Sequence, residues 1–285
     1  MTAGQKMKAY LSFTKFRLSF LVILSALSGY LFVEGANGGL DILYLMLGGT
    51  LVTGASNGAN QIWEREYDKL MKRTLSRPLP TNQMTVKEAY TVVVVSLITG
   101  SLLLLQLNFY SMLLGLFAFA TYVFVYTPMK RISPWAVFVG AIPGAIPPML
   151  GAIAKTGEFG LEPGILFFVQ FVWQFPHFWA IAWVSFEDYK AGGYTLLPSK
   201  GGKSKNSAFI IMLYSLFLIP FTLMPWVLGW TNTWSLVIGG AMAFIFFLTA
   251  YRLYYTCNDK DARTVMFMSF IFLPVVQFMY VFTKI

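Results

Sequence analysis

Apolar residues run along this chain in blocks of about twenty, separated by short polar turns. A helix rises about 1.5 Å per residue, so about 20 apolar residues cross the hydrocarbon core of a bilayer. Nine blocks meet that length, at 17–34, 42–63, 89–106, 109–127, 134–154, 164–185, 207–229, 233–254 and 264–283. The third and fourth are parted only by a tight turn near Gln106 to Asn108. The pattern predicts an all-α polytopic membrane protein of nine transmembrane helices. No linker, low-complexity stretch or separate soluble region interrupts it, so residues 1–285 read as one integral membrane domain.

Composition closes off the soluble alternative. Hydrophobic residues make up 57% and charged residues 12% of the chain, against roughly 25% charged in soluble domains. The placement of Lys and Arg then orients the spans. They fall before the first span (Lys6, Lys8, Lys15, Arg17), after the second (Arg65, Lys69, Lys72, Arg73, Arg77, Lys87) and after the fourth (Lys130, Arg131). They recur after the sixth (Lys190, Lys200, Lys203, Lys205) and the eighth (Arg252, Lys260, Arg263), with Lys155 and Lys284 left on the other side. This puts the N-terminus in the cytoplasm and the C-terminus outside, in a multi-pass protein of the inner (plasma) membrane. The basic start lacks a cleavage signal beyond its apolar stretch and reads as a retained first span. The net charge of +9 is a membrane-surface feature, not a nucleic-acid footprint. One cysteine, Cys257, and one histidine, His177, exclude an internal disulfide and multi-histidine metal sites.

Charge is concentrated where the second block ends, in NQIWEREYDKLMKRTLSR. Asn60, Glu64 and Asp68 are spaced i, i+4, i+8 and share one helix face with a drift of about 40° per step. Lys72, Arg73 and Arg77 follow, before Pro78-Leu-Pro80. Carboxylates beside Lys and Arg suit a polyphosphate with Mg²⁺, which takes one or two carboxylates plus phosphate oxygens. The competing reading is a solvated helix end with Glu64–Asp68–Lys72 ion pairs. A second acidic pair, Glu187 and Asp188 with Lys190, ends the sixth block on the same side. His177 follows Pro176 inside that block, among Trp173, Phe175, Phe178 and Trp179. It is either a packing residue or a haem contact. GAIPGAIPPMLG at 140–151 implies an irregular, closely packed fifth span.

Five segments in this order, NQIWEREYDKLMKRTLSRPLP, YTPMKRISPW, GAIPGAIPPMLG, WQFPHFWAIAW and EDYKAGGYTLLP, resemble the signature segments of the protohaem IX farnesyltransferases (haem O synthases). That family belongs to the UbiA superfamily of intramembrane prenyltransferases. The resemblance implies nine helices around a central cavity open towards lipid. It implies Mg²⁺-dependent transfer of farnesyl from farnesyl diphosphate to a vinyl group of haem b, with water added to give haem O. By position, the superfamily's first acidic motif falls on Asn60, Gln61, Glu64 and Asp68, with Gln61 in place of an acid and Glu64 in place of Asp. The metal ligands it implies are Glu64 and Asp68. Ser185 and Tyr189 occupy the positions of the second motif's acids, and Glu187 and Asp188 supply charge beside them. Lys72, Arg73, Arg77, Lys130, Arg131 and Lys190 are the expected diphosphate contacts, and His177 the expected haem contact. Trp63, Tyr67, Tyr122, Tyr126 and Trp179 are candidates to face an allylic cation. A haem A synthase that takes over the product would be the fitting protein partner. Prenyl transfer to a quinone precursor, transport through charged gates, and a non-catalytic assembly role are the alternatives. Acids gathered at helix ends, not mid-span, speak against transport.

Overall fold

The computed structural model describes residues 2–35, 38–199 and 201–285; Lys200 of the basic pattern lies outside them. The described residues form helices, α1 (Ala3–Phe13), α2 (Phe16–Phe32), α3 (Asp41–Asp68), α4 (Val86–Leu105) and α5 (Phe109–Ala120). A π-helical segment, Thr121–Tyr126, carries α5 into α6 (Thr127–Met129). Then come α7 (Ala136–Thr156), α8 (Leu161–Val184), the short α9 (Phe186–Ala191), α10 (Lys205–Val227), α11 (Thr233–Thr256) and α12 (Asp259–Thr283). Among the described residues, seven spans are long and apolar enough to cross a membrane, and up to eight if α1 and α2, bent by 49°, form one. The expected boundaries hold to within a few residues. The count of nine is not reached on that measure, because α3 turns polar in its second half. Ser56, Asn57, Asn60 and Gln61 are all buried there against the protein.

Two elements depart from the sequence pattern. α1 is a helix of its own, opened by a capping box from Thr2 and Gln5. Lys15 then takes a left-handed backbone with φ of 48° and turns the chain into α2. The corner is fastened to α3, since Gln61 Nε2 donates to the Phe13 carbonyl at 2.6 Å and Asn57 Nδ2 to the Thr14 carbonyl at 3.4 Å.

The second departure is α7, expected to be irregular and found as one continuous helix through Pro143, Pro147 and Pro148. Pro148 has no N–H to give to the carbonyl of Gly144 four residues back. Gln170 of α8 supplies the missing donor, Nε2 to the Gly144 carbonyl at 2.7 Å. The same side chain accepts through Oε1 from Ser25 Oγ of α2 at 2.7 Å and from Gln277 Nε2 of α12 at 2.6 Å. One amide thus joins four helices. The close packing expected of this segment is present. A Cβ on Gly151 would collide with the Ala26 carbonyl, and one on Gly29 with the Pro148 carbonyl, so α2 and α7 meet backbone to backbone.

Replacing Gln170 with Leu strands the Gly144 carbonyl and the Ser25 hydroxyl hydrogen, and leaves Gln277 Nε2 only its bond to Ser25 Oγ. A loss of roughly 1–3 kcal/mol is expected, read as a lower unfolding midpoint in detergent. An unchanged midpoint would show that the shared amide carries no stability.

Candidate active site

The ends of α3, α6, α8 and α9 and the loops after them converge at one end of the bundle. α3 delivers Asn60, Glu64 and Asp68 to one inward face, as their spacing requires, and all three are buried, Asp68 completely. Asn60 does not face a solvent opening. Its Nδ2 donates to Thr127 Oγ1 at 3.1 Å, and Thr127 Oγ1 donates to the Tyr122 carbonyl at 2.8 Å. This ties α3 to the π-helical segment, a local irregularity common at functional sites.

The acids are matched by bases from two other segments. After α3 the chain folds into a tight turn in which Thr74 Oγ1 donates to the Asp68 carbonyl at 2.9 Å. That turn brings Arg77 back over the helix end. Its Nη1 lies 2.7 Å from both carboxylate oxygens of Asp68 and 4.0 Å from Glu64 Oε2. Lys130, just past α6, places Nζ 2.5 Å from Glu64 Oε1. Its ammonium also sits 4.9 Å over the Tyr126 ring and 5.6 Å over the Tyr194 ring. Glu64 is thus a paired carboxylate and not a solvated one, which disposes of the exposed helix-end reading.

The second acidic pair divides. Asp188 accepts the backbone N–H groups of Lys72 at 3.3 Å and Arg73 at 3.1 Å, so α9 clasps the turn that carries Arg77. Arg73 stacks 5.2 Å over the Tyr189 ring and donates to its hydroxyl at 3.2 Å. Glu187 is exposed, and the side chains of Glu187, Lys72 and Lys190 make no ion pair among the described residues. Arg131 lies 3.9 Å over the Tyr67 ring.

Between these groups is a cavity of about 210 Å³ lined by Trp63, Glu64, Tyr67, Thr127, Pro128, Arg131, Ile132 and Tyr194. Of the expected aromatic set, Trp63 and Tyr67 line it, and Tyr122 and Tyr126 pack beside it with ring centroids 5.1 Å apart. Trp179 does not line it; its ring packs edge-on to Tyr214 at 5.0 Å. His177 is also elsewhere, buried between α8 and α12. It stacks on Trp173 at 4.4 Å, with Nδ1 2.7 Å from Ser269 Oγ.

Two residues join the site unannounced by the sequence pattern. Tyr194 follows Gly193, whose φ of 73° turns the chain back, and its buried ring lines the cavity with Glu64. Burial, then the nearby Glu64 carboxylate, pushes its hydroxyl well above its ordinary range. The only signal for it was its place in AGGYTLLP. Lys15, half-buried at the α1–α2 corner, feels the same cluster. Its charge is attracted by Glu64 and opposed by Arg77 and Lys130. Nothing in the spacing relates Lys15 to Glu64.

Paired carboxylates, the cations that match them and an aromatic-lined cavity thus lie together at one helix end. The chain belongs to the UbiA prenyltransferase family, whose model matches residues 22–271. It is 46% identical over 99% of each chain to a protohaem IX farnesyltransferase from Cytophaga hutchinsonii. It is 41% identical to one from Flavobacterium psychrophilum, over 95% of this chain and 92% of that one. Solved structures share the fold. A digeranylgeranylglyceryl phosphate synthase matches with a TM-score of 0.82 at 20% identity, over 98% of both chains. A UbiA homologue from Archaeoglobus fulgidus, solved bound to GPP and Mg²⁺, matches with a TM-score of 0.69 at 17% identity, over 96% of this chain and 100% of that one.

If Asp188 holds the turn at 72–73, Asp188→Ala should speed hydrogen exchange at residues 69–77 by about tenfold or more, the worth of a charge-assisted hydrogen bond. Exchange in α3 should stay as it is. Equal rates in the variant and the parent protein would remove Asp188 from that role.

Proposed function

We propose that the chain is a protohaem IX farnesyltransferase that moves the farnesyl group of farnesyl diphosphate to a vinyl group of haem b. The observation that carries this is the full-length identity to protohaem IX farnesyltransferases, joined to a buried acid–base cluster beside an aromatic cavity. In this reading α3 is the ninth span. Its polar face turns inward and its apolar residues, Ile42, Leu43 and Leu47 among them, are exposed to lipid. The basic loops then place the charged end and the N-terminus in the cytoplasm and the C-terminus outside the inner membrane.

A magnesium ion fits the donor set. Glu64 and Asp68 supply two carboxylates on one face, each held by a cation in this structure, Lys130 on Glu64 and Arg77 on Asp68. Among the described residues no third acid, His or Cys joins them, so phosphate oxygens and water would complete the shell. When bound, such an ion neutralises charge on the departing diphosphate. Arg77 and Lys130 bind the diphosphate oxygens, and Lys15, Lys72, Arg73, Arg131 and Lys190 line its approach. Asn60 orients the π-helical segment through Thr127. Asp188 holds the turn bearing Lys72, Arg73 and Arg77, with Glu187 beside it at the rim. The farnesyl C–O bond breaks towards the diphosphate, and the rings of Trp63, Tyr67, Tyr122 and Tyr126 face the allylic cation. A haem vinyl carbon attacks that cation. Water then adds to the resulting carbocation and releases a proton to solvent.

His177 serves haem. Ser269 gives its one hydroxyl hydrogen to the Met266 carbonyl at 2.6 Å. Its oxygen therefore accepts from His177 Nδ1–H, which leaves the lone pair on Nε2, the tautomer a haem-iron ligand needs. The product haem would then be handed on to a haem A synthase.

Purified protein with haem b, farnesyl diphosphate and Mg²⁺ should yield a haem heavier by farnesyl plus water in the mass spectrum. Prenylation of 4-hydroxybenzoate or a naphthoate instead, with haem untouched, would overturn the haem assignment and keep the diphosphate site. Asp68→Ala should lower turnover by about 10²-fold or more with unfolding still cooperative; near-normal turnover would remove Asp68 from the site. His177→Phe should raise KM for haem and leave KM for farnesyl diphosphate unchanged, and the reverse pattern would exclude the haem role.

A further inference from the structure

The buried charges at the end of α3 cancel. Glu64 and Asp68 contribute two negative charges, and Arg77 and Lys130 contribute two positive ones. All four side chains are at most 16% exposed. Both cations are spent on the same carboxylates that the proposed reaction assigns to a metal. We propose that Arg77 and Lys130 are resident counter-cations that close the carboxylate pair to a free divalent ion and release it only when a diphosphate arrives with that ion. This deepens the function proposed above and rests on its diphosphate site.

The argument is one of charge and partners. A divalent ion entering alone must displace Arg77 and Lys130 from Asp68 and Glu64. Both would then stay in a poorly solvated place with no anion to turn to. The ion would also bring two further positive charges into a set that was neutral. A diphosphate entering alone would meet cations already bound and two carboxylates that repel it. Only the two ligands together let every charge find a partner: carboxylates to the metal, Arg77 and Lys130 to the phosphate oxygens. Arg77 is built for the exchange. It sits on a turn fastened by Thr74 and by Asp188 through the backbone of Lys72 and Arg73, so its backbone stays while its planar fork changes partner. Tyr194 lines the same cavity as Glu64. The consequence is reciprocal coupling: each ligand must strengthen the binding of the other by the same factor.

The test uses the full-length protein in detergent, Mn²⁺ as the metal probe and inorganic diphosphate as the anion probe. Protein-bound manganese is measured by equilibrium dialysis, so metal complexed to free diphosphate is equal on both sides. Manganese should bind at least tenfold more tightly with diphosphate present. Arg77→Gln should bind manganese alone at least tenfold more tightly than the parent protein and lose most of the dependence on diphosphate. Lys130→Gln, on a different segment, should shift both values in the same direction, so one misfolded variant does not decide the result. Arg77→Lys, which keeps the charge, should keep the dependence. Manganese bound equally tightly with and without diphosphate by the parent protein would overturn the counter-cation role and leave the diphosphate site standing. No manganese bound under either condition would bring down the diphosphate site and the counter-cation role with it.

Discussion

Inside a bilayer, a polar group that the chain does not satisfy has no water to turn to. The carbonyl of Gly144 is where this constraint bears hardest, because Pro148 removes its helical donor. Gln170 fills the place, and in doing so fixes the register of α8 against α7, while its other end takes Ser25 and Gln277. The backbone contact of α2 with α7 at Gly29 and Gly151 is then geometrically possible, since α7 continues as one helix through its prolines. The cavity depends on this arrangement. α7 leaves room for the Tyr126 ring at Gly140, where a Cβ would meet that ring, and Tyr126 is the floor on which Lys130 rests.

The same constraint produces the charged end. Four ionised side chains sit where water is scarce, and each has an opposite charge within 4.0 Å. Buried pairs of this kind contribute little net stability, because desolvation offsets their attraction. Breaking one is a different matter, since it leaves a lone buried charge. The cluster is therefore poorly explained as a fastening. It is better explained as a set of groups held in reserve, kept neutral until a ligand with both signs of charge replaces the internal partners.

How far the sequence discloses all this depends on the range of the interaction. The spans were legible because hydrophobicity acts residue by residue, and boundaries such as Val86–Leu105 and Phe109–Met129 follow the apolar blocks closely. The face shared by Asn60, Glu64 and Asp68 was legible for the same reason, as helical geometry at fixed spacing. α1 was not, because it is eleven residues long and mixed in polarity. Nor was the continuity of α7 through Pro148, which leans on an amide from another helix. Asp188 illustrates the limit best. Its composition suggests a substrate contact, yet its oxygens accept backbone amides more than a hundred residues away, and no local pattern encodes that pairing.

The two ends of the proposed reaction also separate along the bundle for a physical reason. His177 lies seven residues before the end of α8 at Val184, about 10 Å deeper at helical rise, among Trp173, Phe178 and Phe270. Ionisation of a diphosphate ester needs cations and polar donors, which lipid tolerates only at the surface. Capture of the allylic cation by a vinyl group needs the opposite, an aromatic setting from which water is excluded until the new bond has formed. A farnesyl chain is amphiphilic in this same sense, with its anion at one end and hydrocarbon behind it. A bundle that is charged at its rim and aromatic below accommodates both ends of such a substrate. This explains why the chain keeps its acids at helix ends and its lone histidine inside.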